Sequence, residues 1–194
     1  MKVIGLTGSF GTGKTTVASI FRRLGAEILD ADRIAHSVIR KGTTAHRKVV
    51  EAFGDGVLTG AGSIDRKKLG RMVFGNKRYV RRLNAIVHPA VIDRIKRGIE
   101  RSKKEIVVID APLLVEAHLM NMIDKLLVVK ASRENQIKRC VKKFGISKKD
   151  VLERIGHQIP IEEKVKMADY IIDNNGKMGE TEKQVKRIWE EIWR

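Results

Sequence analysis

The sequence reads Gly-Ser-Phe-Gly-Thr-Gly-Lys-Thr from Gly8 to Thr15. This octet matches G-x-x-x-x-G-K-[ST], the pattern of a phosphate-binding loop. Its glycines let the backbone curl around a phosphate with no Cβ in the way, and the freed N–H groups then point at the anion. Lys14 would reach the β- and γ-phosphates of a nucleotide, and the Thr15 hydroxyl would help to hold Mg²⁺. The alternative is an ordinary glycine-rich turn between a strand and a helix.

The segments on either side of this loop have the periodicity that phosphate binding requires. Residues 2–7 form a short apolar run typical of a buried parallel strand. Val17, Ile20, Phe21 and Leu24 recur at helical spacing and give the next segment one apolar face. Strand, loop and helix follow in the order that places a phosphate at a helix N-terminus. The sequence therefore predicts nucleotide binding.

Further strand-like runs indicate the class of fold. They lie at 26–29, 106–109, 125–129 and 170–172 and are separated by helical stretches. This alternation predicts an α/β fold, a three-layer P-loop NTPase domain with a five-stranded parallel sheet. An amphipathic helix at about 178–193 closes the domain, with Val185, Ile188, Trp189 and Ile192 on one side.

Two long helical segments interrupt this alternation. The first, about 32–103, shows helical patterns at 32–40, 43–53, 66–75, 77–87 and 89–102, so we expect a helical substrate-binding insertion. The second, about 133–168, is expected to be a helical lid that keeps water from the transferring phosphoryl group. The core would then comprise about 1–31, 104–132 and 169–194.

The charge of the chain is strongly positive. It has 40 Lys and Arg against 23 Asp and Glu in 194 residues, a formal net charge of +17. Such a charge could mark a nucleic-acid-binding protein. However, the basic residues are spread along helices, and two Trp, two Tyr and five Phe offer few stacking platforms for single strands. A small polyanionic substrate and a lysine-rich surface explain the charge better, so nucleic acid is not expected as the main ligand.

Other features predict a cytoplasmic protein. Cys140 is the single cysteine, which suits a reducing compartment. The chain starts directly with the first strand, so we expect no signal or transit peptide. No apolar run approaches the ~18 residues of a membrane span.

Two aspartates follow the second strand, in Asp30-Ala-Asp32-Arg33. Because the carboxyl ends of parallel strands line the ligand crevice, Asp32 could accept a proton from an acceptor hydroxyl. Capping of the next helix is the alternative for either aspartate. Arg33 and His36 are candidates for the same site, although a solvated helix face would explain both.

The third strand ends at Asp110 and is followed by Ala-Pro-Leu-Leu-Val-Glu116. Asp110 could hold Mg²⁺ through water, as an aspartate at this position does in P-loop enzymes. It could equally cap a helix, and Glu116 could be a surface residue. Ala111 stands where many nucleic-acid motor ATPases have a glutamate, which argues against that class.

The predicted lid carries polar and basic side chains that could lie over the transferring group. Solvated helix faces are the alternative. These residues are Gln136, Arg139, Lys143, Arg154 and Gln158. In the insertion, His88-Pro89 indicates a junction between two helices, because proline suits the first turn of a helix.

Nine short motifs together carry a resemblance to a known family. They are the loop 8–15, Asp30-Ala-Asp32, Phe53-Gly54, Ile64-Asp-Arg66 with Val73-Phe74, His88-Pro89, Pro112-Leu-Leu-Val-Glu116, Gln136-Ile-Lys-Arg139, Arg154 with Gln158, and Ala168-Asp-Tyr-Ile-Ile-Asp-Asn174-Asn-Gly176. In this order and spacing, along nearly the whole chain, they resemble dephospho-CoA kinases. The resemblance implies transfer of the ATP γ-phosphoryl group to the ribose 3′-hydroxyl of dephospho-CoA, with Mg²⁺, in the cytoplasm, as the last step of coenzyme A synthesis.

The motifs and the resemblance together give the candidate site residues. Asp32, Lys14 and Arg139 would be catalytic, and Thr15 and Asp110 would lie at the metal. The ATP-binding candidates are Gly8, Gly11, Thr12, Gly13, Lys14, Thr15, Thr16, Arg139, Lys143 and Asn174. The substrate-side candidates are Asp32, Arg33, His36, His88, Leu114 and Glu116.

One position departs from the family pattern. Lys143 stands four residues after Arg139, where the family has a second arginine, and an ammonium cannot form the bidentate fork of a guanidinium. Either Arg139 carries the lid role or Lys143 supplies a point charge. Thr15 in place of the commoner serine keeps the hydroxyl.

Two other functions compete with this one. A nucleoside or nucleotide kinase would share the architecture. A P-loop switch or nucleic-acid ATPase would explain the charge, but Asn76-Lys77-Arg78-Tyr79 misses the guanine motif Asn-Lys-x-Asp at its last position.

Overall fold

Five strands form one parallel sheet in the order β2-β3-β1-β4-β5. The computed structural model describes residues 1–117 and 119–193. The strands are β1 (Lys2–Thr7), β2 (Glu27–Asp30), β3 (Ile106–Asp110), β4 (Lys125–Lys130) and β5 (Tyr170–Asp173). Each lies within one or two residues of its predicted run, and the predicted α/β fold is confirmed.

The register aligns the carboxyl ends of the strands that lead to the predicted site. Asp30 at the end of β2 pairs with Asp110 at the end of β3. Leu6, next to the last residue of β1, also pairs with Asp110. Because β1 is central and its chain continues into the glycine-rich loop, that loop and both aspartates lie at one edge of the sheet.

One face of the sheet is covered by α1 (Lys14–Arg23) and α9 (Met178–Ile192). Val17 and Phe21 of α1 and Val185 of α9 are buried in the same cluster as Ile4 and Leu127 of the sheet. Full burial of such side chains stabilises the fold by roughly 1.5–3 kcal/mol each. The apolar faces predicted for both helices are therefore the faces that pack.

The other face of the sheet is approached closely at Gly5. A Cβ on Gly5 would lie 2.7 Å from Ile123 Cδ1 and 2.8 Å from Leu114 Cδ1. Glycine at this position lets the segment after β3 pack directly on β1. Leu114 is fully buried as a result.

The chain divides into two compact units, Ala31–Glu100 and the remainder. The first unit contains α2 (Ala31–Val38), α3 (Thr44–Phe53), α4 (Arg66–Val73) and nearly all of α5 (Lys77–Arg101). It has its own buried cluster around Val49, Val57 and Leu69, with Phe53 packed against it. Asp65 caps α4 by accepting from the Lys67 and Lys68 N–H groups.

The predicted helix junction at His88-Pro89 is wrong. α5 runs without a break from Lys77 to Arg101, with Pro89 inside it. Pro89 has no N–H to donate to the Ala85 carbonyl, which normally disfavours a helix interior. Ala85 and Pro89 are both exposed, so water can satisfy that carbonyl and the helix continues.

Three helices form the segment predicted to be a lid. They are α6 (Arg133–Phe144), α7 (Lys148–Gly156) and α8 (Ile161–Lys166). Ser132 caps α6, and Ser147 with Asp150 forms a capping box on α7. Gly145 ends α6 in the left-handed conformation. Within the described residues, no helix has the length and apolar character needed to cross a membrane.

Candidate active site

The loop between β1 and α1 has the backbone expected of a phosphate cradle. Gly11 and Gly13 adopt positive φ values of 82° and 93°, which side chains rarely allow. Lys14 begins α1, and its Nζ donates to the Gly8 carbonyl at 3.0 Å. The Lys14 ammonium group therefore lies across the loop, where it could also contact a bound phosphate.

The second half of the loop is anchored at Thr12, which is buried. Asn174 Nδ2 donates to the Thr12 carbonyl at 2.8 Å, and Asn174 Oδ1 accepts from Thr181 Oγ1 at 2.8 Å. Arg139 Nη2 donates to the Asn174 carbonyl at 2.7 Å, and its Nη1 lies 3.5 Å from the Thr12 carbonyl. The structure thus brings Arg139 and Asn174, both predicted, to the loop.

Lys143 is in a different position from Arg139. Its Nζ lies over the Phe144 ring, 5.3 Å from the centroid, and the residue is exposed. Of these two cations of α6, Arg139 is the one that contacts the loop residue Thr12.

Side chains from the segment 133–168 hold the first half of the loop. Gln158 Oε1 accepts from the Phe10 N–H at 2.8 Å and from Ser9 Oγ at 3.0 Å. The Phe10 ring stacks on Phe144 with 5.6 Å between centroids, and the Arg154 guanidinium lies 5.3 Å from the Phe10 centroid. Phe10 occupies an unspecified position of the loop motif, so the sequence gives no signal that its ring stacks on Phe144.

Helix α6 packs directly against the loop at Gly11. A Cβ there would lie 2.6 Å from Cys140 Sγ and 2.9 Å from the Gln136 carbonyl. Burial raises the pKa of the Cys140 thiol, so this contact involves a neutral thiol and not a thiolate. Only glycine fits both the backbone angle and the space.

We expect Gly11→Ala to destabilise the protein by more than Gly25→Ala. Both glycines have positive φ, 82° and 110°, but a Cβ at Gly25 meets nothing within 4 Å. Gly25→Ala should therefore cost about 1–2 kcal/mol from its backbone alone, and Gly11→Ala roughly 1–3 kcal/mol more from overpacking. Chemical denaturation of the two variants measures the cost of the backbone angle and the additional cost of overpacking. Equal losses of unfolding free energy would show that α6 does not press on the loop.

The candidate base lies just beyond the end of β2. α2 begins at Ala31, so Asp30 occupies the preceding position and Asp32 lies in the first turn. Asp32 is exposed, as are Arg33 and His36 on the same helix. A carboxylate in a first turn is also favoured by the helix dipole. The position of Asp32 alone therefore does not distinguish a catalytic base from a residue that only stabilises the start of the helix.

The remaining substrate-side candidates differ in their surroundings. His88 is half-buried in α5. Leu114 is fully buried, so it supports the segment after β3. Glu116 forms an ion pair of 2.8 Å with Lys164, a lysine with no exposed side-chain surface. The sequence gives no signal that Lys164 is buried, because Glu-Glu-Lys-Val-Lys is typical of a solvated helix.

The residues predicted to lie at the metal offer oxygen ligands. Thr15 is exposed in the first turn of α1, and Asp110 ends β3. Within 1–117 and 119–193, no group of three or more His, Cys, Asp or Glu side chains is placed to hold a metal. This donor set fits Mg²⁺, which keeps several waters and is bound through substrate phosphates with one or two protein oxygens.

A central strand that feeds a glycine-rich loop and its lysine, with an arginine of α6 on that loop, is the arrangement of a P-loop kinase. A family model described as dephospho-CoA kinase matches residues 2–180. The chain belongs to the dephospho-CoA kinase family. Its reaction is the ATP-dependent phosphorylation of dephospho-CoA, the final step of coenzyme A biosynthesis.

Similar proteins agree with this assignment. The dephospho-CoA kinase of Aquifex aeolicus is 47% identical over 195 residues, covering 100% of this chain and 99% of the relative. That of Carboxydothermus hydrogenoformans is 43% identical, with 97% and 93% covered. A crystal structure of a Thermus thermophilus protein matches with a TM-score of 0.88 and 32% identity, covering 98% and 97% of the two chains. The dephospho-CoA kinase of Campylobacter jejuni matches with a TM-score of 0.66 and 28% identity, over the same shares.

Proposed function

We propose that the loop 8–15 binds the triphosphate of ATP while Asp32 orients and deprotonates the ribose 3′-hydroxyl of dephospho-CoA. The observation that supports the first half is the anchored loop, in which Lys14 lies across the glycine backbone and Arg139 reaches Thr12. The second half is supported by the position of Asp32, two residues beyond the end of β2.

In this mechanism the chain positions groups and stabilises charge. The ribose oxygen attacks the γ-phosphorus, the bond from that phosphorus to the β–γ bridging oxygen breaks, and the hydroxyl proton passes to Asp32. The products are coenzyme A and ADP. Because the transition state is loose, with charge spread over the phosphoryl oxygens, Lys14 and Arg139 would act as fixed cations whose contacts strengthen as that charge develops.

Thr15 and Asp110 would hold Mg²⁺ on the nucleotide. The ion would offset charge on the β- and γ-phosphate oxygens when bound. The Thr15 hydroxyl would help to hold it, and the Asp110 carboxylate would hold it through water.

Substrate binding would fall mainly to the unit Ala31–Glu100. We infer that Arg33, His36 and His88 belong to the substrate side, together with Glu116 from the segment after β3. Asn174 would lie near the adenine of ATP. The segment 133–168 would act as the lid, the protein would work in the cytoplasm, and ATP and dephospho-CoA would be its partners rather than nucleic acid.

A direct assay tests this proposal. The purified protein with ATP, Mg²⁺ and dephospho-CoA should form coenzyme A and ADP in equal amounts. Nucleosides and nucleotides tested as acceptors should react far more slowly. Turnover no faster than ATP loss to water would contradict the proposal. Tight, steeply salt-dependent nucleic-acid binding with stimulated ATP hydrolysis would favour the rival ATPase.

Arg139→Lys is expected to lower kcat by about 10- to 100-fold, because a lysine keeps the charge but loses the planar fork. Lys143→Met is the matched control and should change kcat by less than about threefold, because this side chain lies exposed over Phe144. Steady-state kinetics at saturating ATP measures both. A larger loss in the Lys143 variant would assign the lid role to Lys143.

A further inference from the structure

The exposed face of α4 carries a shallow concavity that the mechanism above does not use. Its lining consists of Arg66, Lys67, Gly70, Arg71 and Phe74. Because residues four apart on a helix are neighbours on its surface, Gly70 lies between Arg66 and Phe74. Lys67 and Arg71 form the row beside it. The lining lies within one compact unit of the chain.

Gly70 has no reason within the fold to be glycine. It lies in the interior of α4 and is not one of the glycines with positive φ. A Cβ on Gly70 would meet no atom of the described residues within 4 Å. In a helix interior glycine is less favourable than every residue except proline, so it weakens this helix. What it provides instead is open space between Arg66 and Phe74.

Three cations border this open space. The side chains of Arg66, Lys67 and Arg71 are exposed, and none of them forms an ion pair among residues 1–117 and 119–193. Lys67 and Arg71 stand four residues apart on the helix, where like charges are destabilising. The neighbouring acid, Asp65, caps the helix by accepting from the Lys67 and Lys68 N–H groups. The helix therefore carries two locally unfavourable features, which is typical of a functional surface.

These features define the chemistry of a ligand. An anion would offset the repulsion between Lys67 and Arg71, and the space at Gly70 would admit a group attached to that anion. Phe74 is 72% exposed at the concavity, so the attached group would be apolar. The other ring of the basic stretch 66–82, Tyr79, packs edge-on against Phe53 with 5.9 Å between centroids. Because nucleic-acid strands stack successive bases on successive rings, this arrangement favours a small ligand.

We propose that this concavity binds the diphosphate of dephospho-CoA and the start of its pantetheine arm. This inference rests on the proposed function, which assigns substrate binding mainly to the unit that contains α4. Dephospho-CoA carries a diphosphate joined to an arm that begins with a dimethyl-substituted carbon. The diphosphate would lie against Arg66, Lys67 and Arg71, and the dimethyl group would lie over Gly70 and against Phe74. Because ATP has no such arm, the concavity would select the acceptor.

Gly70→Ala separates binding from stability. Alanine is more favourable in a helix, so Tm should rise by about 2–4 °C. Its methyl group would occupy the place of the arm, so KM for dephospho-CoA should rise about 10-fold, with KM for ATP within about threefold. Gly179→Ala in α9 is the control, because a Cβ there also meets no described atom within 4 Å, and it should leave both KM values unchanged. A Gly70 variant with the wild-type KM for dephospho-CoA would overturn the proposal.

The double variant Arg66→Met with Arg71→Met tests the cations. KM for dephospho-CoA should rise about 10- to 100-fold, as expected when charge-assisted hydrogen bonds are lost. This KM should also lose much of its dependence on salt, since exposed charges are screened by ions. Arg78→Met is the control, an exposed arginine of α5 outside the lining, and it should change KM by less than about threefold. Equal effects of the two would contradict a specific site, because the general charge of the surface would then explain both.

Fragments of the substrate complete the test. 4′-Phosphopantetheine has the arm and a phosphate but no ribose, so it should compete with dephospho-CoA, and its Ki should rise in the same variants. Adenosine lacks both groups and should be phosphorylated with the same kcat/KM by wild type and variants. A short RNA whose binding is lost in the double variant, with KM for dephospho-CoA unchanged, would assign the concavity to nucleic acid. If the wild-type protein does not phosphorylate dephospho-CoA, the proposed function is wrong, and calorimetry with 4′-phosphopantetheine still tests the concavity.

Discussion

Asp32→Asn is expected to lower kcat by about 10²- to 10⁴-fold, the usual range for loss of a general base. Asparagine has the same shape but cannot take the proton of the attacking hydroxyl. It caps a helix as well as aspartate does, so the variant removes the chemistry and keeps any capping role. ATP binding should stay within about threefold of wild type, because the proposed nucleotide contacts lie in the loop 8–15 and the lid.

Quenched-flow measurement of coenzyme A formation, together with calorimetry of ATP binding, checks this expectation. Asp93→Asn is the matched control. Asp93 is exposed in the same unit and pairs only at the surface with Arg97 at 2.8 Å, and such pairs contribute about 0–1 kcal/mol. An Asp32 variant with a near-normal rate would remove this residue from its assigned role, and a lowered Tm with normal kcat would assign it to the cap.

Lys14→Met should reduce kcat by about 10²- to 10³-fold, equivalent to about 2.7–4 kcal/mol of transition-state stabilisation. It should also weaken ATP binding, because the ammonium would contact the β- and γ-phosphates in the ground state as well. Methionine preserves the length of the side chain and removes its charge. The hydrogen bond to the Gly8 carbonyl is lost too, at a net cost of about 0.5–1.5 kcal/mol in stability.

Steady-state kinetics over a range of ATP concentrations separates the two effects. Lys142→Met is a suitable control, since Lys142 is an exposed lysine of α6 and its loss should leave both constants near wild type. Normal turnover by the Lys14 variant would contradict phosphate binding by the loop.

The strands and the loop could be predicted because their signals are local. The run 3–7 is buried throughout, as expected for a central parallel strand. A glycine at position 11 or 13 permits backbone angles that other residues rarely adopt. The family could be predicted for the same reason, since each of its motifs is a short local stretch, and the family model over residues 2–180 confirms it.

The break predicted at Pro89 shows where local reasoning fails. The preference of proline for a first turn is real, but it does not say whether the lost hydrogen bond can be met in another way. In α5, Ala85 and Pro89 are both exposed, so water can satisfy the Ala85 carbonyl and the helix continues through both.

By itself, the sequence determined the parallel sheet, the phosphate-binding loop and the family. The tertiary structure alone decided which side chains share a partner: Arg139 rather than Lys143 at Thr12, Phe10 stacked on Phe144, and Lys164 paired with Glu116. The physical reason is the distance along the chain over which each effect acts. Backbone preference and hydrophobic periodicity act over a few residues. Whether a charged side chain is paired or solvated depends instead on whether segments distant in the sequence bury it beside an opposite charge.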